Sequence, residues 1–391
     1  MVSPHGGNGA KAQAIPQDAV ASNAPAGLYV HVPFCRGKCP YCDFYSEPSP
    51  ALASRWVDGV LREADLYGDL FSRFDTLYLG GGTPSFLSGE DLGRLLSGLQ
   101  RRFRWESSVE ITLEANPDDV TPEKAALWWD LGINRLSLGV QSLDDAMLGV
   151  LGRRHTAAQA AAAVEAARQA GFTNLGLDLM WGLPGQSLAQ WRETMESVLA
   201  FSPEHLSCYE LTLEKGTVFY QMACRGDLSL PSQAQSRLFF TATSRFLRQR
   251  GYVHYEISNF ARGDVFRSRH NQKYWRHVPY LGLGPSAHSF DGRRRWWNAR
   301  SVETYCEMVE AGGWPVAGRE IPGPEERRLE ALMLGFRTRE GVPLALVGDT
   351  DRARRAVTTT VSQGLLEVQR QRLRPTLAGW LVANRLPLLF D

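Results

Sequence analysis

Three cysteines fall within eight residues of the stretch His31-Val32-Pro33-Phe34-Cys35-Arg36-Gly37-Lys38-Cys39-Pro40-Tyr41-Cys42-Asp43-Phe44. Thiolate is the ligand type that selects iron–sulfur clusters, zinc or cuprous ion, and a C-x3-C-x2-C spacing lets Cys35, Cys39 and Cys42 converge on one centre. The count of three carries information. A structural zinc site takes four ligands and a ferredoxin-type cluster takes four cysteines, so a triplet with no fourth cysteine nearby points to a cluster with one iron left open to a small molecule. Two plainer readings stand beside it. One is a zinc site completed by His31 or Asp43, and the other is three thiols that bind nothing.

A second feature is Gly80-Gly81-Gly82-Thr83-Pro84. Successive positions without side chains let backbone N–H and C=O groups approach a ligand closely, although glycine turns after strands are also common. Glu114, Gln141, Arg153 and Asp178 form a third set, polar residues at or just past strand ends. An unpaired buried charge is costly, so such groups either meet a ligand or close the end of the fold with salt bridges.

The elements that must position these residues alternate. The strand Gly27–Val32 feeds the cysteine loop, and strands at 75–79, 109–117, 135–140, 175–180 and 206–211 follow, separated by helical spacing at 51–66, 90–103, 122–131, 157–170 and 188–201. A helix at 233–249 closes a sixth strand-then-helix unit. Six such units predict an α/β fold, an incomplete (β/α)6 barrel whose chemistry gathers at the C-terminal mouth of the strands. From about Tyr252 the rhythm breaks into Gly/Pro-punctuated, aromatic-rich segments (252–260, 269–275, 280–289) that read as loops and short strands. After Gly323 come a helix at 325–334, another through 344–363, a small hairpin and a helix from Leu377 to Asn384. This C-terminal α+β region reads as a small winged-helix-like module. The expected divisions are a flexible N-terminal extension at 1–26, the partial barrel at 27–250, a connecting region at 251–322 and the small domain at 323–391.

Composition narrows the function classes. With 391 residues and a formal charge of +1, the chain is no coat for nucleic acid or anionic membrane. Five lysines stand against thirty-eight arginines, so the arginines near the C-terminus reflect a whole-chain bias and not a DNA-binding face. Half of the six cysteines sit in one loop, which is no disulfide framework and implies a reducing cytoplasm. Residues 1–26 lack the apolar core of a signal peptide, and no run of about 18 apolar residues exists to span a membrane.

The cysteine spacing on a loop after an apolar strand resembles the signature of the radical S-adenosylmethionine (SAM) superfamily. The resemblance implies a [4Fe-4S] cluster on Cys35, Cys39 and Cys42, with SAM chelating the fourth iron through its amino and carboxylate groups. It assigns Gly81, Gly82 and Thr83 to the methionine amino group, Gln141 and Asp178 to the ribose, and Arg153 to the carboxylate. Glu114, Tyr29, Tyr41 and Thr212 fall at further SAM-lining positions. Pieces such as Arg135-Leu136-Ser137-Leu138-Gly139-Val140-Gln141 and Gly182-Leu183-Pro184-Gly185-Gln186 narrow this to the oxygen-independent coproporphyrinogen III oxidase-like group, over roughly Gly27 to Arg385.

Within that group the chain is most similar to the HemW-type haem chaperones. The oxidases carry a further cysteine two residues after the third ligand, where this chain has Phe44, and a longer segment ahead of the cluster, where 34 residues precede Cys35. The chaperones also carry an H-N-x-x-Y-W motif, matched by His270-Asn271-Gln272-Lys273-Tyr274-Trp275. An imidazole is a ready axial ligand for haem iron and aromatic rings cover a porphyrin face, so His270, Tyr274 and Trp275 become expected haem contacts. A surface turn is the plainer reading of a His-Asn pair. The resemblance implies a chaperone that delivers haem to respiratory haem proteins, with peripheral association at the inner membrane face. The alternative is a radical SAM enzyme that oxidatively decarboxylates porphyrinogen propionates.

Overall fold

The computed structural model describes residues 24–68 and 70–390. The expected N-terminal extension lies outside the described residues up to residue 23. Six parallel strands form the centre: β1 (Ala26–Val32), β2 (Phe74–Gly81), β3 (Trp105–Ala115), β4 (Arg135–Gln141), β5 (Leu175–Trp181) and β6 (His205–Glu210). Each is followed by at least one helix, so this is the expected (β/α)6 arrangement. The strands are apolar on their outward positions because the helices cover that face. Leu136, Leu138 and Val140 of β4 are fully buried there, and their alternates Arg135, Ser137, Gly139 and Gln141 face inward onto a cavity.

The sheet does not stop at six. It runs to twelve strands, continuing beyond β6 through the antiparallel pair β7 (Val253–Glu256) and β8 (Asn259–Ala261). On the other side β1 pairs in parallel with β9 (Tyr280–Leu283), followed by antiparallel β10 (His288–Phe290), β11 (Arg295–Asn298) and β12 (Val316–Glu320). The region read as irregular connection is therefore mostly an extension of the sheet at both edges. One part of it is neither loop nor strand. Residues Arg269–Trp275 form a helix, capped by Ser268, whose Oγ accepts from the Asn271 N–H, and by the Glu110 carboxylate, which accepts from the Arg269 and His270 N–H groups. The helix packs on β1 and β2, anchored by Lys273 Nζ at 2.6 Å from Asp75.

The main core runs through the barrel and holds Trp56, Trp128, Trp191 and Trp296 with almost no exposure. A second core, around Leu332, Phe336, Leu366, Leu373 and Phe390, holds the C-terminal region with its three-stranded sheet β13 (Val342–Pro343), β14 (Leu366–Gln369) and β15 (Arg372–Pro375). The single helix expected at 344–363 is two, Leu344–Val347 and Asp351–Ser362. Gly348 at φ +89° breaks it, and Thr350 caps the second piece. Trp380 ties this region to the barrel by packing on His254, with ring centroids 4.3 Å apart.

Candidate functional site

The cysteine loop leaves β1 and is pinned at its root. Phe34 is fully buried edge-on against Trp56, 5.8 Å between centroids, and the Cys35 N–H donates to the Glu47 carbonyl at 3.0 Å. Beside it, the Gly82 N–H donates to the Val32 carbonyl and the Thr83 N–H to the Phe34 carbonyl. A methyl group on Gly82 would come 2.6 Å from the Phe34 oxygen, so glycine is what allows the two loops to lie together. Gly81, at φ +111°, needs a backbone conformation that other residues avoid.

Cys35, Cys39 and Cys42 all line one cavity of about 660 Å3 at the C-terminal mouth of the six strands. Tyr41, Gly81, Gly82, Thr83, Glu114, Gln141, Arg153, Asp178 and Thr212 line it too. The side chains there are tied to one another. Arg153 donates from Nη2 to the Asn116 side chain and the Gly139 carbonyl, both at 2.6 Å, and its Nη1 lies 3.6 Å from the Cys39 sulfur. Its buried Nε has no partner among the described residues. Tyr78 donates to Glu114 at 2.7 Å, Tyr209 to Gln141 at 3.0 Å, and Ser137 to Asp178. Burial pushes Glu114 up to about 7, against the Tyr78 bond, and it raises Asp178 as well. Both carboxyls sit where a cationic or hydroxyl-rich ligand would favour their charged form. Gln141, a non-glycine residue at φ +66°, is turned inward by the register shift at the end of β4.

Zinc would need its ligands around a single ion. No three His, Cys, Asp or Glu side chains are gathered that way among the described residues. His31 has both ring nitrogens engaged, Nδ1 by the Tyr29 hydroxyl and Nε2 by the Tyr45 carbonyl. A cluster spreads its thiolates over separate irons, and the triplet around one open cavity suits it.

Four expected residues lie elsewhere. Of these, Tyr29 and Tyr274 line a second cavity of about 780 Å3, together with the unexpected Tyr45 and His288, on the far side of Asp43 and Phe44, which line both. His270 lines neither: it is fully buried, with the Thr76 hydroxyl 2.9 Å from Nδ1 and the Tyr274 hydroxyl 2.8 Å from Nε2. Burial foremost, then Lys273 and Arg135, holds it down to about 3, so it is a neutral packing element under β1 and β2. Trp275 packs on Tyr255 at 5.8 Å. The plainer reading of this motif as a surface turn does not hold, because the segment is a helix with His270 and Lys273 buried and with Asn271 reaching the first cavity.

The sequence reading overlooked Tyr78, Asn116, Ser137 and Tyr209. Ser137 and Tyr209 sit at inward positions of their strands, two residues from other cavity-lining residues, and that period was the available signal.

Residues 29–198 match the Radical SAM superfamily and residues 323–382 the HemN C-terminal domain. The heme chaperone HemW of Mycobacterium tuberculosis is 35% identical over 366 residues, covering 92% of this chain and 93% of that protein. This chain belongs to the HemW-type radical SAM family. HemW of Bacillus subtilis is 36% identical over 321 residues, 80% of this chain and 84% of that one. Mouse radical S-adenosyl methionine domain-containing protein 1, mitochondrial, is 33% identical, with 95% and 89% covered. The structure of coproporphyrinogen III oxidase (HemN) from Escherichia coli shares the fold, with TM-score 0.79, 24% identity and coverage of 94% and 90%. Membership in the radical SAM family implies a [4Fe-4S] cluster and SAM, and the HemW-type triplet Cys35, Cys39 and Cys42 fits that cluster.

Proposed function

We propose that this chain is a haem chaperone: it holds a [4Fe-4S] cluster on Cys35, Cys39 and Cys42, binds SAM in the first cavity, and carries haem to acceptor haem proteins. The names of its relatives support haem as cargo. The observation that carries the reading is the shared wall. Asp43 and Phe44 place a second, ring-lined cavity next to the cysteine loop, giving cargo a place apart from the polar one. When bound, the cluster and SAM supply one-electron reductive chemistry. The residues of this chain do the positioning. Gly81, Gly82 and Thr83 offer backbone and hydroxyl to an amino group, Glu114 offers its carboxyl, and Arg153 offers a guanidinium to a carboxylate. Gln141 and Asp178 reach a ribose, with Tyr41 and Thr212 closing the rim.

The same reading takes the protein as cytoplasmic, with peripheral membrane contact at the point of delivery. No described helix is long and apolar enough to cross a membrane. It also treats 27–250, 251–322 and 323–391 as its working divisions. The test is anaerobic reconstitution followed by two assays on one preparation. Stoichiometric haem binding and transfer to an apo-haem protein are expected. Conversion of coproporphyrinogen III to a vinyl-bearing product with SAM and reductant at a useful rate would sink the chaperone reading in favour of the oxidase.

A further inference from the structure

The second cavity is walled by flat rings, among them Tyr29, Tyr45, Tyr280 and Trp297, and its volume of about 780 Å3 lies in the range of cofactor pockets. Two histidines line it, His31, whose ring nitrogens are both engaged, and His288. His288, on β10, is exposed and has no hydrogen bond to either ring nitrogen among the described residues, while its ring stacks on Trp297 with centroids 5.9 Å apart and planes at 29°. The other described histidines are committed. His31, His254 and His270 use both nitrogens, His155 and His205 use one and bury the other, and His277 faces Glu330. Partial burial and Arg295, opposed by Glu320, favour the neutral form of His288, which keeps a lone pair for a metal. At the rim, Arg300 is exposed and makes no ion pair among the described residues, and its guanidinium sits 5.8 Å from the centre of the Tyr45 ring.

We propose that the second cavity is the haem pocket, with His288 as axial ligand to the iron, Tyr45 and Trp297 against the porphyrin, and Arg300 pairing a propionate. This rests on the haem reading above and replaces His270 as the ligand. Ligation forms one coordinate bond from the imidazole lone pair to ferric iron and displaces a water, with no electron transferred. Rings supply the apolar contact a porphyrin needs, and a planar guanidinium is the natural partner for a carboxylate at the edge.

The test titrates the full chain, with its cluster reconstituted, with ferric haem, read by the haem absorption band and by resonance Raman. His288→Ala is expected to weaken binding at least tenfold and to lose the histidine-ligated spectrum while its melting curve stays that of the wild type. Added imidazole should restore that spectrum. Arg300→Ala should give a smaller loss with the spectrum unchanged. Wild-type affinity and spectrum in His288→Ala would overturn the assignment, as would a folded His270→Ala that alone loses the histidine-ligated spectrum. A wild-type chain that binds no haem would bring down the chaperone reading itself, and this site with it.

Discussion

The two cavities on either side of Phe44 are built on opposite principles. The first is polar and already wired: Glu114, Gln141, Arg153 and Asp178 each have a hydrogen-bond partner among the side chains that line it. The second is ringed by aromatics, and its chemistry-bearing groups, His288 and Arg300, touch only rings and make no hydrogen bond or ion pair among the described residues. Preorganised polar groups lose little freedom when a small polar ligand arrives, which suits a resident cofactor. Rings with a free imidazole suit a flat apolar guest that must also leave.

The contrast can be broken at several points. The largest effect belongs to Cys39→Ala, which should abolish the iron–sulfur absorbance after anaerobic reconstitution, and a full cluster in that variant would remove the ligand assignment. Next is Gly82→Ala. Its methyl group meets the Phe34 carbonyl at 2.6 Å, so urea unfolding should show a loss of about 1–3 kcal/mol and calorimetry a weakened SAM affinity. Haem affinity, read on the same sample, should change less if the cavities are separate.

A third prediction concerns Glu63, which is fully buried and accepts from the Gly284 N–H at 2.8 Å, from Asn298 at 2.6 Å and from Tyr305 at 2.6 Å. Asn298 lines the second cavity, so this carboxyl supports its floor. Burial raises Glu63 from 4.5 to about 7, against those hydrogen bonds. The folded state thus holds the proton more tightly than the unfolded chain. The stabilisation is complete below 4.5 and is lost as pH rises through 7, costing about 1–3 kcal/mol by pH 8. Denaturant unfolding at pH 5.5 and pH 8 should show that slope, and Glu63→Gln should flatten it. The smallest effect is expected from Phe44→Ala. Its ring is 67% exposed, so stability should move by less than about 0.5 kcal/mol. Haem should nevertheless dissociate a few-fold faster, since the ring bounds its cavity.

How much of this could be read from residues alone follows from element length. The six barrel strands carry apolar residues on their outward positions and recur between amphipathic helices, and that strand–helix rhythm is unmistakable. Strands such as β10 and β11 have three and four residues, too few to show a period of two, so His288 and Trp297 had no visible frame. The helix at Arg269–Trp275 was illegible for another reason. Its inner face carries polar His270 and Lys273, buried there by Thr76 and Asp75, partners far away in sequence. The cysteine triplet needed no such frame, since its meaning lay in spacing.

Two adjacent residues, Asp43 and Phe44, come directly after the third thiol and bound both cavities. The ligand-bearing loop and the wall of the cargo cavity are thus one piece of backbone, with no chain of relays between them. Any free energy by which an assembled cluster alters haem affinity must, by reciprocity, be returned as a change of equal factor in how tightly the cluster is held when haem is present. Loading state and cluster integrity would then be one thermodynamic quantity measured from two ends.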